Sequence, residues 1–237
     1  MGRALVYTLW GATYLGNKMA LASLPPMACT AGRFLIAARL LFAIPAVRRP
    51  ARLTPPREEL RGVLVTGTLL VGASRTLLSI GQRHIDSGWA SLIVAAVPLW
   101  VLLMRTLSGQ PTRPTLGDGV FGGLAGLALL LVQPGALLNI RGALTVLPSS
   151  VVWAAGSSLS QRPRLPPDGL VSPAWHMIIG GLAVGVVSGL SGEFGDRRPQ
   201  PVTTRSWAAW GYLVLLCTFV GFTAYVWLLR HASLQLA

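Results

Sequence analysis

The chain has 237 residues, of which 52% are hydrophobic and 11% charged, with 27 Gly and a mean hydropathy of +0.59. That excludes a disordered chain and an ordinary soluble domain. Lys+Arg number 20 against 7 Asp+Glu, a net charge of +13 that on a soluble protein would point to nucleic acid. No basic helix or aromatic-basic sheet motif accompanies it, and the cytoplasmic loops of membrane proteins carry the same excess of Arg. The expected partner is therefore a lipid bilayer and not nucleic acid. The charges cluster between stretches of about 20 residues, the length a helix needs to cross a bilayer, so the fold class is all-α, a polytopic membrane helix bundle.

Hydropathy in windows of about 19 residues predicts eight spans: 4–22, 27–47, 61–82, 87–107, 115–133, 142–160, 172–191 and 207–229. The first starts like a secretory signal, with Arg3 before an apolar run and Ala20-Leu21-Ala22 after it. Asn17 and Lys18 stand where a signal needs apolar residues, so this segment is expected to remain as a first helix. In the fourth span Pro98 removes a backbone donor and should bend or loosen the helix. Gly122 with Gly126 on the fifth span, and Gly181 with Gly185 on the seventh, have the spacing of packing faces. Trp89, Trp100, Trp207, Trp210 and Trp227 lie near span ends and read as interfacial anchors. Cys29 and Cys217 sit in apolar stretches as small hydrophobes. No disulfide framework or metal-ligand spacing is present, and no cofactor or metal is expected.

With the N-terminus inside, eleven Arg fall on the cytoplasmic side and five outside. This imbalance predicts a multi-pass protein of the cytoplasmic (inner) membrane with its N-terminus inside. Two weak internal matches then emerge. Trp10-Gly11-Ala12-Thr13 resembles Trp153-Ala154-Ala155-Gly156, and Arg83-His84 resembles Arg230-His231, at offsets of 143 and 147 residues. The implied unit is five helices, residues 1–133 and 134–237. An odd number of spans per unit inverts the second copy in the membrane, as in many secondary transporters. The second repeat stops about 43 residues short of its expected end, room for two further helices. Ser233 to Ala237 reads as the first turn of a ninth.

Several segments resemble the EamA family of ten-helix carriers in the drug/metabolite transporter superfamily. They are Leu9-Trp10-Gly11-Ala12-Thr13-Tyr14, Leu24-Pro25-Pro26, Gly32-Arg33-Phe34, Ser87-Gly88-Trp89-Ala90-Ser91 and Val97-Pro98-Leu99-Trp100. Gly122 to Gly126, Ser150-Val151-Val152-Trp153-Ala154 with Gly156-Ser157, and Gly211-Tyr212-Leu213 through Ala224-Tyr225 continue the match. The resemblance implies two inverted five-helix repeats around a central cavity lined by the first four helices of each. Helices nine and ten of that pattern are missing.

No span interior holds Asp or Glu, so an intramembrane carboxylate is not available for proton coupling. Lys18, Arg33, Arg39 and Arg75 lie within spans, where a charge is costly unless it faces water or a partner. Lys18, Arg33 and Arg75 could face a cavity whose solute brings a carboxylate or phosphate. Snorkelling or carbonyl pairing is the alternative, strongest for Arg39. At 100° per residue, Thr68, Gly72, Arg75, Ser79 and Gln82 share one face of the third span. Trp10, Thr13, Tyr14 and Asn17 share a face of the first, and Ser149, Trp153, Gly156, Ser157 and Ser160 a face of the sixth. These two faces are expected to be symmetric walls of one cavity, although such polar and small residues also serve as interhelical packing. Tyr225 shares a face with Thr218, Gly221 and Phe222. The substrate-binding candidates are Trp10, Tyr14, Asn17, Lys18, Arg33, Arg75, Ser79, Trp153, Ser157 and Tyr225.

The expected function is alternating-access transport, in the export direction, of a small metabolite: amino-acid-like, otherwise anionic or zwitterionic, or aromatic. A truncated non-transporting protein or partner subunit is the alternative, and a homo-oligomer is left open. An intramembrane serine protease built on Ser157 or Ser158 with His176 is disfavoured, because Gly156-Ser157-Ser158 lacks a Gly-x-Ser-Gly form. No enzyme activity is expected.

Overall fold

A computed structural model of the chain describes residues 2–48, 53–54, 57–109, 118–119, 122–123, 125–126, 129, 139–160, 170–193 and 201–224. Most of the predicted fifth span lies outside them, as do Tyr225, Trp227, Arg230-His231 and the final turn. The described elements are helical. Helix α1 runs Gly2–Ala20 and α2 Pro26–Arg48; α3 (Arg57–Gly67) passes through a π-helical segment, π1 (Thr68–Ala73), into α4 (Ser74–Gly81). Then come α5 (Ser87–Val94), α6 (Val97–Leu107), α7 (Ile140–Ser160), α8 (Val171–Leu190) and α9 (Thr204–Tyr212), which continues into a second π-helical segment, π2 (Leu213–Val220).

Among the described residues, six helical stretches are long and apolar enough to cross a membrane: Pro26–Ile44, Glu59–Gly81, Ser87–Leu107, Ile140–Ser160, Val171–Leu190 and Thr204–Ala224. Each overlaps one of the eight predicted spans. The first predicted span is also a helix but is not among the six, because Arg3, Asn17 and Lys18 lower its hydropathy. Large apolar side chains point out of the bundle, with Leu190 84% and Leu107 79% exposed. Such a surface suits acyl chains and would be a liability in water.

Small residues set the closest helix crossings. Gly181 packs against Leu35 and the Ala31 carbonyl of α2, and Gly185 against Ala31, so the predicted face of the seventh span is a packing seam. One residue earlier, Gly180 meets Val71, the Gly67 carbonyl and the Gly72 amide, so α8 lies directly on π1. Gly81 and Gly142 form a second crossing, between α4 and α7. Without Cβ atoms the backbones approach closely and gain van der Waals contact, which drives association in lipid where the hydrophobic effect does not.

Two prolines have different consequences. The fourth span breaks at Ala95-Ala96, and Pro98 opens α6, where the missing N–H costs least. Pro148 lies inside the continuous helix α7, and the adjacent Ser149 and Ser150 hydroxyls donate to the Val146 and Leu147 carbonyls.

Polar ties fasten one end of the bundle. The Glu193 carboxylate, just past α8, accepts from the Met27 and Ala28 amides at the start of α2, at 3.0 Å each, and from the Ser188 hydroxyl at 2.6 Å. An anion at a helix N-terminus is favourable there, because the first amides lack partners within the helix. Near the same end the Ser206 hydroxyl donates to the Met19 carbonyl.

Candidate functional site

A cavity opens between α1, α2 and α4. Its polar lining comes from Thr13, Tyr14 and Asn17 on α1, Thr30 and Arg33 on α2, and Arg75, Ser79 and the neighbouring Gln82 at the end of α4, with Phe34 and Leu78 completing the wall. The free space between these side chains is room for roughly one water.

Neutral hydrogen bonds close one end. The Asn17 amide donates to Gln82 Oε1 at 2.6 Å and to Ser79 Oγ at 3.4 Å, while Gln82 Nε2 donates to the Tyr14 carbonyl at 3.1 Å. The hydroxyls of Thr30 and Ser79 share a bond of 3.0 Å. Three helices are thus joined through four side chains. Gln82, although fully buried, has both its amide groups satisfied, which offsets its desolvation.

The charge in the cavity is of one sign. Arg33 donates through Nε to Thr218 Oγ1 at 2.8 Å, and its guanidinium lies over the Phe34 ring at 5.1 Å. Arg75 lies over the face of Trp153, 4.2 Å from the ring centroid. Both guanidiniums line the same cavity. No carboxylate lines the cavity, and among the described residues neither Arg has an acidic partner. Aromatic contact and one hydroxyl steady the two cations without neutralising them.

Among the ten candidates, Tyr14, Asn17, Arg33, Arg75 and Ser79 line the cavity. Trp153 adjoins it through Arg75. Lys18 is outside this lining: its ammonium donates to the carbonyls of Gln82 at 3.0 Å and Ile85 at 2.7 Å and stands 3.8 Å from Asp86, so it ties helix ends together. Trp10 packs on Phe222 at 5.6 Å and against Gly221. Ser157 lies outside the lining, and its carbonyl accepts from Ser160 Oγ. Tyr225 lies outside the described residues.

The two expected walls also differ. Thr13, Tyr14 and Asn17 of the α1 face line the cavity, whereas on α7 Gly156 packs on Leu69 and Leu70 and the Ser149 carbonyl accepts from Ser74. In the third span the π winding rotates the stripe, so Thr68 is exposed, Gly72 packs on Gly180, and only Arg75, Ser79 and Gln82 reach the cavity. Arg39 is exposed on the outside of the bundle. Trp100 and Trp210 each tie to another helix, donating to Ser150 Oγ and the Cys29 carbonyl, both at 3.0 Å.

Thr30, Phe34 and Thr218 were not singled out as candidates from the sequence. Thr30, Arg33 and Phe34 have the three- and four-residue spacing of one helix face, a signal that could have found the first two. His176 is buried against Thr66, its Nε2 2.7 Å from the hydroxyl, so it is paired with that threonine and not with Ser157 or Ser158.

Residues 4–132 match the EamA-like transporter family. The uncharacterized inner membrane transporter YedA of Escherichia coli K12 is 31% identical over 233 residues, covering 98% of this chain and 74% of that protein. The uncharacterized transporter YoaV of Bacillus subtilis is 26% identical over 236 residues, covering 96% and 77% respectively. A protein of known crystal structure superposes with a TM-score of 0.65 at 23% identity, over 94% of this chain and 75% of that one, a likeness of fold.

Proposed function

The chain belongs to the EamA-like transporter family, and from that premise we propose that it carries a small anionic metabolite across the cytoplasmic membrane by alternating access, with Arg33 and Arg75 facing the solute. The carrying observation is the pair of guanidiniums in one cavity without an acidic partner among the described residues. Two unneutralised cations among helices are costly, and a solute that brings negative charge offsets that cost. The cavity has room for about one water, so solute must enter through a more open arrangement of the same helices.

In this reading the chain has eight spans, its N-terminus is inside, and residues 1–133 and 134–237 are two inverted repeats. The π-helical segments support the repeat. Shifting Thr68–Ala73 by the 147 residues between Arg83 and Arg230 lands on 215–220, inside Leu213–Val220. Export is the direction we assign.

The test is reconstitution in liposomes with a panel of labelled small metabolites. Saturable flux of an anionic solute is expected, with its loss in Arg75→Ala protein that inserts and melts like the parent. Unchanged flux in that variant would remove Arg75 from the solute site.

A further inference from the structure

We propose that the cavity selects a compact dianion, a phosphate monoester or short dicarboxylate, over a zwitterionic amino acid or a monocarboxylate. This rests on the cavity being the solute site, and it specifies the charge the solute must carry.

The argument is one of charge matching. Arg33 and Arg75 come from different helices, α2 and α4, yet line the same small space. Each is steadied in a way that leaves N–H donors free. Arg33 spends its Nε–H on Thr218 and keeps its terminal groups, while Arg75 stands over the Trp153 ring, and among the described residues no hydrogen bond uses its donors. A planar fork on each of two helices suits two anionic oxygen pairs, or one phosphate gripped from two sides. A monoanion would leave one positive charge uncompensated among apolar helices; a dianion leaves none.

A zwitterion fares worse. Its ammonium needs an acceptor, preferably anionic, and the cavity wall holds no carboxylate. The acceptors at the closed end are neutral, and two of them already take one hydrogen bond each, Gln82 Oε1 from the Asn17 amide and the Tyr14 carbonyl from Gln82. The ammonium would also be repelled by the two guanidiniums that attract the carboxylate.

The experiment measures binding by calorimetry and flux in liposomes, using inorganic phosphate, glycerol phosphate, succinate, acetate and alanine at neutral pH. Succinate or a phosphate is expected to bind at least about tenfold tighter than acetate and alanine. The phosphate and dicarboxylate arms distinguish the two forms of dianion. Arg33→Gln and Arg75→Gln should each bring the dianion-to-acetate ratio close to one, while Arg75→Lys, which retains the charge, should preserve part of it. Equal binding of acetate or alanine, or a dianion preference that survives both Gln substitutions, would overturn the proposal. Flux of alanine or acetate without a dianion preference would overturn only this assignment of charge. Absence of flux and binding for every small metabolite, in protein that inserts and melts normally, would overturn the carrier reading as well.

Discussion

The two π-helical segments have similar backbones but contribute differently to the cavity. π1 is pressed from outside by α8 through Gly67, Gly72 and Gly180, and the chain leaving it presents its own Arg75 to the cavity. π2 presents no charge; its Thr218 turns back to the Leu213 carbonyl five residues earlier and accepts from Arg33 of another helix. π turns are rare and recur where a helix serves a site. In one segment the wide turn aims a side chain, and in the other it offers an acceptor. Two segments of like backbone therefore do not imply two like sites, and the charged groups of the cavity, Arg33 and Arg75, come from residues before 134.

The sharpest way to break this comparison is to remove the side chain that π1 aims. Arg75→Ala should weaken anion binding roughly a hundredfold, the scale of truncating one partner of a buried charge pair, as read by calorimetry. A loss confined to Arg33→Ala, with Arg75→Ala unaffected, would reverse the assigned roles of the segments. Next in size, Gly180→Leu should destabilise the bundle by about 3 kcal/mol, because a Cβ there would stand 2.7 Å from both the Gly67 carbonyl and the Gly72 amide. Thermal melting followed by tryptophan fluorescence measures this. A smaller effect is expected from Thr218→Val, which removes the acceptor for Arg33 and should cost about 1.5 kcal/mol in anion affinity while leaving the melting temperature near the parent's. Thr68→Val is the matched control in π1. Thr68 is exposed, and the change should stay within about 0.5 kcal/mol in both assays. Equal effects at Thr68 and Thr218 would erase the distinction between the segments.

Much of the scaffold was legible because apolar length alone marks a helix in a bilayer. The six apolar stretches overlap predicted spans, and Pro98 marks the break between α5 and α6. The cavity was legible where the α-helical period holds, as for Thr13, Tyr14 and Asn17 on α1. It failed at π1, where wider winding sent Thr68 outward and Gly72 to α8; a fixed 100° step cannot register that. Lys18 was undecided in the sequence for another reason. Composition gives the same signal for an ammonium facing a solute and one collecting helix-end carbonyls, and only three-dimensional proximity to Gln82 and Ile85 separates the two. Thr218 was obscure because it acts through Arg33, 185 residues earlier in sequence.

The two cysteines have a practical consequence. Cys29 follows the two amides held by Glu193, and the Cys217 thiol donates to the Leu9 carbonyl; both are buried and unpaired. They are the only thiols in the chain, so alkylation becomes a clock for opening of the bundle, with no engineered label required. Glu193→Gln should make the clock run faster at Cys29 than at Cys217, as read by mass spectrometry of the two peptides. A bound anion that holds the helices together should slow it at both.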